Sequence, residues 1–291
     1  MSSNEVKDEV KDEVNTSSKR RKFVFLAGLP RSGSTLLSCL LNQNPDFLSR
    51  GSSPVVGFMK QMEINVNQSE LFQADPKPKE AEAMITSLLE NYYKFDTEKK
   101  VIVDKNRNWM SHIDDIKHYG YSQDPKIICT YRNIYEIISS FLCLIKKSPN
   151  NTYDKSLTKA GKLLTDENRC KHVLDILCVP LAKEFVKASK RPECLLVPYK
   201  SIVDNPPGVL EKVYEFLGEP KYQQHEFKNL KNDHRERDKE VYGLPDLHKV
   251  RSTISKTCPL PIDVLPDGII QHISNHEGLK EYHQVIQMLN K

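Results

Sequence analysis

The first clear pattern along the chain is a short apolar run followed by residues at helical spacing. The segment KFVFLAGLP, residues 22–30, is almost wholly apolar until it ends in Gly and Pro, which predicts a buried strand and a turn. The segment SGSTLLSCLLNQNP, residues 32–45, then repeats apolar side chains at helical spacing and stops at a proline. The sequence therefore predicts a strand, a loop and a helix in direct succession.

The same alternation recurs further along the chain. Short apolar runs lie at Val101–Val103, Pro125–Tyr131 and Cys194–Pro198, and the last two lead directly into amphipathic helical patterns. Because alternating strands and helices indicate a parallel sheet, we expect a three-layer α/β fold of the P-loop kind, with a central parallel sheet flanked by helices. The predicted helices cover residues 54–64, 78–94, 109–118, 133–147, 168–190, 206–217 and 266–289.

Two segments lack this periodicity. Residues 1–22 repeat EVKD and run into SKRRK without an apolar face, which predicts a flexible charged tail ahead of one domain at residues 23–291. Residues 223–261 are polar and contain the charge cluster DHRERDKE. We expect long surface loops there and no second domain.

Composition narrows the class of protein. The chain has 291 residues, 38% of them hydrophobic, and a net charge of only +4, which argues against a dedicated nucleic-acid binder. No apolar run approaches the roughly 20 residues of a membrane helix, and the first residues do not form a signal peptide. Seven cysteines without a CxxC pair indicate reduced thiols. We expect a cytoplasmic protein without membrane partners.

The loop between the first strand and helix has the chemistry of a phosphate site. Gly28 and Gly33 are five residues apart, as in the phosphate loop GxxxxGK[ST]. Such glycines let successive backbone N–H groups point at an anion, and the helix N-terminus adds its positive end. A nucleoside triphosphate site would have Lys at the position of Ser34, whereas this loop carries its cation at Arg31. A plain glycine-containing turn remains the alternative.

A second strand-to-helix turn carries Arg132 and Ser140, which are separated by eight residues. A guanidinium can form two parallel bonds to a phosphate, and a hydroxyl two helical turns later can add a third. Taken alone, a surface ion-pair residue and an ordinary helix serine explain the pair equally well. Combined with the first loop, the spacing favours a second phosphate site.

The segment GLPRSGSTLL resembles the sulfotransferases that use 3′-phosphoadenosine 5′-phosphosulfate (PAPS), whose equivalent segment is PRSGTT, and it looks most like their tyrosylprotein and bacterial branch. The resemblance covers residues 23–291. It implies that the residues from Arg31 to Thr35 (Arg31, Ser32, Gly33, Ser34 and Thr35) bind the 5′-phosphosulfate, with Arg31 also neutralising charge on the departing oxygen. It further implies that Arg132 and Ser140 bind the 3′-phosphate.

Further residues match the family pattern. Tyr199 ends a strand at the position of the family's adenine-binding Tyr, although a Tyr packed at a strand end is the alternative. The segment HKVRSTISK resembles the late loop that closes over the nucleotide, which implies roles for Arg251, Ser252 and Lys256. The gap between Arg251 and Lys256 is shorter than in the tyrosylprotein enzymes.

The catalytic residues implied by the resemblance are Arg31 and Lys105. Lys105 follows an apolar strand, as the family's catalytic Lys does, and a strand-end salt bridge with Asp104 is the alternative. The tyrosylprotein branch has a Glu as general base about twenty residues after the phosphate loop, but this chain has Ser52 there. Other candidates for the base are Glu63, Asp104 and His112.

We therefore expect metal-independent transfer of a sulfuryl group from PAPS to a hydroxyl or amine of a small-molecule, carbohydrate or peptide acceptor. No metal-ligating motif is present in the sequence. Two alternatives stay open. One is a magnesium-dependent P-loop small-molecule kinase, because Val101 to Asp104 resembles the strand and Asp that hold the metal. The other is a nucleotide-binding protein without turnover, because the expected base is missing.

Overall fold

The computed structural model describes residues 21–96, 98–231, 236–256 and 259–290. These residues form a five-stranded sheet in the order β2-β3-β1-β4-β5, with every neighbouring pair parallel. The three-layer α/β prediction is confirmed. The strands are β1 (Lys22–Gly28), β2 (Phe47–Ser52), β3 (Val101–Lys105), β4 (Ile127–Tyr131) and β5 (Cys194–Pro198).

Helices connect and cover these strands. In chain order they are α1 (Ser34–Leu41), α2 (Val55–Gln68), α3 (Glu70–Ala74), α4 (Pro78–Tyr92), α5 (Ile113–His118), α6 (Ile134–Lys147), α7 (Thr152–Lys159), α8 (Asp166–Val173), α9 (Val179–Ala188), α10 (Tyr199–Asp204), α11 (Pro206–Leu217), α12 (Asp238–Tyr242), α13 (Pro261–Val264), α14 (Asp267–Ser274) and α15 (Lys280–Leu289). Short 3₁₀ turns precede α5 at Arg107–Ser111 and α15 at Glu277–Leu279.

The central strand explains the layered architecture. β1 lies between β3 and β4, with Phe25 level with Asp104 on one side and Ile127 on the other. Its alternate side chains pack into two separate cores: Phe25 contributes to one and Val24 to the other. Because successive residues of a strand point to opposite faces, a continuous apolar run is what a sheet covered on both faces requires.

The structure differs from the prediction in three details. The strand β2 was not expected, because only Phe47 and Leu48 give it an apolar signal. The predicted helix at 168–190 contains a π-helical segment, Leu174–Cys178, just before Pro180, which cannot donate a helical hydrogen bond. The predicted helix at 266–289 is interrupted between α14 and α15, where Gly278 lets the backbone approach Val179.

The predicted loop region at 223–261 is largely irregular within its described residues, as expected, but it is not simply a solvated surface. It contains the short helix α12 and one antiparallel bridge between Lys228 and Thr253. Leu230, Leu244 and Leu247 are buried. These anchors hold the loop against the body of the protein.

The N-terminal prediction falls mostly outside the described residues, since these start at Arg21. Lys22, which was assigned to the charged tail, is the first residue of β1 and pairs with Val101. Among the described residues, no helix is both long and apolar enough to cross a bilayer. The described cysteines are free thiols, while Cys258 lies outside the described ranges.

Candidate functional site

A cavity of about 1020 Å³ opens at the carboxyl edge of the sheet. Each strand delivers a lining residue where it ends: Gly28 from β1, Ser52 from β2, Lys105 from β3, Arg132 just after β4 and Tyr199 just after β5. Parallel strands end at the same edge, so residues distant in sequence meet there. The cavity is therefore where the fold gathers most of the predicted site residues.

The loop after β1 depends on its two glycines. Gly28 has a φ of +132°, and a Cβ there would lie 2.1 Å from the carbonyl oxygen of Thr130. Gly33 has a φ of +89°, and a Cβ there would lie 3.0 Å from the ring of Tyr199. Helix α1 starts at Ser34, in the cavity wall, and no described side chain caps its N-terminus. This geometry presents backbone N–H groups suited to an anion.

The side chain of Ser32 turns away from the cavity. Its hydroxyl oxygen lies 2.6 Å from Oγ1 of Thr130 and 2.5 Å from the carbonyl oxygen of Leu29, and the residue is fully buried. The hydroxyl therefore fixes the loop to β4. Ser34 and Thr35 line the cavity instead.

Arg31 is held in the cavity wall by contacts to two distant segments. Its Nε donates a hydrogen bond to Oγ of Ser140 at 3.1 Å, and its Nη1 donates to the carbonyl oxygen of Leu247. Its φ of +56° is left-handed, a region that non-glycine residues adopt at a cost. The loop thus stores backbone strain at the residue predicted to act on the leaving group.

Arg132 lies beside it. Its Nη1 donates to the backbone carbonyl oxygen of Arg31 at 3.0 Å, and its Nε donates to Oε2 of Glu136 at 2.8 Å. Its guanidinium carbon is 3.9 Å from the ring centroid of Tyr199, a cation–π contact. Its Nη2 is buried and forms no hydrogen bond with any described residue.

The two predicted phosphate turns therefore lie side by side. Arg31, Arg132 and Ser140 line the same cavity and contact one another directly or through backbone. Their closeness satisfies the condition that one nucleotide could reach both turns. Their contacts with a nucleotide stay predictions.

Lys105 points into the cavity with its side chain only 5% exposed. Its Nζ lies 3.1 Å from Oε1 of Glu236 and 3.3 Å from Oγ1 of Thr35. Burial lowers the pKa of Lys105, and the Glu236 carboxylate opposes that shift. The ammonium thus sits next to the first loop, paired with a residue that the sequence analysis did not single out.

Asp104 does not form the alternative salt bridge with Lys105. Its carboxylate accepts hydrogen bonds from Nε1 of Trp109 at 2.5 Å and from the hydroxyl of Tyr93 at 2.9 Å, and it is fully buried. Burial raises the pKa of Asp104. Because this carboxylate does not line the cavity, it is poorly placed to hold a metal on bound phosphates, which argues against the kinase alternative.

The late loop contributes one of its three predicted residues to the cavity wall. Arg251 lines the cavity. Ser252 is exposed, and its carbonyl oxygen accepts a hydrogen bond from the N–H of Leu230. Lys256 is also exposed, with its Nζ 3.6 Å from Oε1 of Glu136. Ser252 therefore does not meet the other predicted residues, whereas Lys256 is linked to Arg132 through the carboxylate of Glu136.

The three residues that the sequence offered as general base lie away from the cavity. Ser52, which stands at the position of the tyrosylprotein branch's Glu, does border the cavity. Glu63 pairs with a lysine of its own helix, and Nδ1 of His112 lies 2.7 Å from Oδ2 of Asp115. None of Glu63, Asp104 and His112 lines the cavity.

Sequence reasoning missed a carboxylate that reaches Ser52 from the loop region. Oε1 of Glu236 accepts a hydrogen bond from the N–H of Ser52 at 2.9 Å. Glu236 also lies close to Asp238 and His248: one carboxylate oxygen of each acidic residue and one ring nitrogen of His248 lie within 4.8 Å of one another. The only signal in the sequence was the charge cluster DHRERDKE, which resembled an ordinary solvated segment.

The model for the sulfotransferase family matches residues 24–224. The chain belongs to the sulfotransferase family. The matched range includes the first loop, Lys105, Arg132 and Tyr199, but it ends before the loop that carries Glu236. The family resemblance is confirmed, and placement in the tyrosylprotein or bacterial branch stays a prediction.

A solved structure supports the fold of this sulfotransferase. The sulfotransferase domain from the curacin biosynthetic pathway aligns with a TM-score of 0.50 and 15% identity, covering 93% of this chain and 98% of that chain. The sulfotransferase domain from the Synechococcus PCC 7002 olefin synthase aligns with a TM-score of 0.44 and 18% identity, covering 87% and 95%. Retinol dehydratase in a complex with retinol and PAP aligns with a TM-score of 0.44 and 16% identity, covering 89% and 81%. None of the curated proteins matches the chain.

Proposed function

We propose that this sulfotransferase transfers a sulfuryl group from PAPS to a hydroxyl or amine of a small-molecule, carbohydrate or peptide acceptor, without a metal ion. The observation that carries the proposal is the meeting of the turns at Arg31 and Arg132 in one cavity that also contains Lys105. Two arginine-bearing turns suit a nucleotide that is phosphorylated at both its 5′ and 3′ positions.

The residues of the second turn fit the 3′-phosphate. Nη2 of Arg132 is buried and has no partner among the residues that the structure describes, which is costly for a cationic N–H group unless an acceptor is supplied. A phosphate oxygen is such an acceptor, and Ser140 lines the same wall. Tyr199, already stacked on the Arg132 guanidinium, presents an aromatic ring at the adjoining strand end for adenine.

The residues of the first loop fit the phosphosulfate end. Gly33 and the uncapped start of α1 offer backbone N–H groups, and Ser34 and Thr35 add hydroxyls. When bound, PAPS supplies an activated sulfuryl group on a phosphate leaving group. Arg31 and Lys105 place positive charge where negative charge grows on the leaving oxygen, the kind of electrostatic stabilisation that commonly contributes most to catalysis.

The direct test is transfer of ³⁵S from labelled PAPS to a panel of acceptors that includes 4-nitrophenol, 2-phenylethanol, a tyrosyl peptide and glucosamine. We expect transfer that is unchanged by EDTA. We also expect tight binding of 3′,5′-ADP and much weaker binding of 5′-AMP, measured calorimetrically. ATP consumption that requires Mg²⁺ would support the kinase instead, and binding of 3′,5′-ADP without transfer to any acceptor would support a non-catalytic protein.

A further inference from the structure

Three side chains from the loop region form a hydrogen-bonded cluster at the cavity wall. Nδ1 of His248 lies 2.7 Å from Oδ1 of Asp238 and 3.1 Å from Oε2 of Glu236. The other oxygen of Asp238 accepts the backbone N–H of His248 at 2.8 Å. Asp238 is buried, while His248 lines the cavity. The imidazole is thus fixed at one nitrogen by two carboxylates.

This arrangement determines the tautomer of His248. An imidazole nitrogen between two carboxylate oxygens must carry the proton, because a carboxylate can only accept a hydrogen bond. Nε2 is then the unprotonated nitrogen. It forms no hydrogen bond with any described residue. A lone pair is therefore available on an imidazole that borders the cavity.

Glu236, in contrast, has both of its oxygens engaged. Oε1 accepts from the N–H of Ser52 at 2.9 Å and from Nζ of Lys105 at 3.1 Å, and Oε2 faces His248. Burial tends to raise the pKa of Glu236, but the charge of Lys105 and the hydrogen bond from the N–H of Ser52 hold that pKa below its usual value. A carboxylate this well satisfied is a weak base and a strong orienting group.

The cluster lies at the reacting end of the proposed nucleotide site. Lys105 connects Glu236 to Thr35 of the first loop. On the other side, the residue before His248 is Leu247, whose carbonyl oxygen accepts from Arg31. Both residues proposed to stabilise the leaving group therefore lie within one contact of the cluster.

We propose that His248 is the general base that deprotonates the acceptor, and that Glu236 and Asp238 position it; this inference rests on the proposed function. The acceptor O–H or N–H proton passes to Nε2 of His248 as the acceptor atom forms its new bond to sulfur. The bond between sulfur and the phosphate oxygen breaks, and its electron pair stays on that oxygen. Glu236 and Asp238 then stabilise the imidazolium, as the carboxylate of a Ser-His-Asp triad does.

The first test compares acceptors of different acidity in the full-length protein. In H248Q, transfer to 2-phenylethanol should fall about 10²–10⁴-fold, the usual contribution of a general base. Transfer to 4-nitrophenol, largely ionised at mildly alkaline pH, should fall far less. The matched control H112Q removes a histidine outside the cavity and should leave both rates unchanged. The assignment would be overturned if H248Q lowered the transfer rate equally for both acceptors. It would also be overturned if E236Q, and not H248Q, selectively lowered transfer to 2-phenylethanol.

The pH profile gives a second readout. The charged and titratable groups around His248 are Glu236, Asp238, Lys105 and Tyr242, with Arg31 bonded to the neighbouring carbonyl. Burial lowers the pKa of His248, and the two carboxylates oppose that shift without reversing it. On the acidic side of the profile, the kcat/KM for 2-phenylethanol should therefore start to fall only below about pH 6.5. The acidic fall should vanish in H248Q.

A third readout needs no acceptor. Nitrogen NMR of the ¹⁵N-histidine protein at neutral pH should show His248 protonated at Nδ1 and unprotonated at Nε2, and D238N should weaken that preference. The opposite tautomer would refute the inference whatever the acceptor is. Calorimetric binding of 3′,5′-ADP separates the two proposals. Wild-type protein that does not bind 3′,5′-ADP contradicts the proposed function. If the wild type binds 3′,5′-ADP and H248Q transfers the sulfuryl group at the wild-type rate, only the role of His248 is contradicted.

Discussion

The Nη1 atom of Arg132 donates a hydrogen bond to the backbone carbonyl oxygen of Arg31 across 3.0 Å. This bond joins the turn after β4 to the loop after β1, so the two cationic side chains share one rigid support. Within the described part of the chain, Nη2 of Arg132 has no hydrogen-bond partner, and the face of its guanidinium lies against Tyr199. Arg132 therefore combines a fixed position with unused hydrogen-bonding capacity.

The first prediction concerns this unused capacity. R132K keeps the positive charge but loses the planar fork, so it should weaken binding of 3′,5′-ADP about 10- to 100-fold, as expected for one or two charge-assisted bonds. Binding of 5′-AMP, which lacks the 3′-phosphate, should change little. R191K, which alters an arginine outside the cavity, is the control. Equal weakening for both nucleotides in R132K would contradict a role at the 3′-phosphate.

The second prediction separates the side chain of Arg31 from its backbone. R31A and R31G both remove the guanidinium and should lower kcat by about 10²–10³-fold, the usual loss for one preorganised charge stabiliser. R31G also relieves the left-handed φ of +56°, so it should be more stable than R31A by about 1 kcal/mol in urea denaturation. If R31G were to regain wild-type kcat, the conformation rather than the charge of Arg31 would matter.

The sequence predicted best what depends on local pattern. The apolar run from Phe23 and the loop from Gly28 identified β1, the first loop and the start of α1. Strand burial and glycine spacing depend on residues that are adjacent in the sequence, so a local pattern can reveal them. Arg132 could likewise be placed at a strand end. The rule that parallel strands end at one edge of the sheet predicts that the two turns lie near each other, but it does not predict the direct contact between Arg132 and Arg31.

The rest depended on contacts that no local pattern encodes. Glu236 lies 184 residues after Ser52, yet it accepts the N–H of that residue. Its segment has no helical or strand period, and its buried anchors, such as Leu244, are isolated among polar residues. Similarly, Ser32 looked like a phosphate ligand by position, and only the fold reveals that Thr130 faces its hydroxyl.

The third prediction tests how tightly the first loop is packed. In G28A, the added Cβ would lie 2.1 Å from the carbonyl oxygen of Thr130, and the φ of +132° is unfavourable for alanine. We expect a loss of several kcal/mol in the free energy of unfolding, or no folding at all. G218A is the matched control, because Gly218 also has a positive φ of +66° but its added Cβ would have no atom of the described residues within 4 Å. It should cost about 1 kcal/mol. Equal losses in the two variants would show that backbone strain, not the contact with Thr130, decides the outcome.

The last prediction concerns the alkaline limit of activity, which Lys105 should set. Its ammonium must be charged to stabilise the leaving oxygen, and burial lowers the pKa of Lys105 despite the opposing carboxylate of Glu236. The kcat/KM should therefore fall with rising pH at a value below about 10.4, the ordinary lysine pKa. In K105R the guanidinium stays charged beyond about pH 12, so this alkaline fall should disappear even though a bulkier side chain lowers activity at every pH. K117R alters a lysine outside the cavity and should keep the wild-type profile. An alkaline fall at the same pH in K105R and wild type would assign that titration to another group and remove Lys105 from the charged machinery of the site.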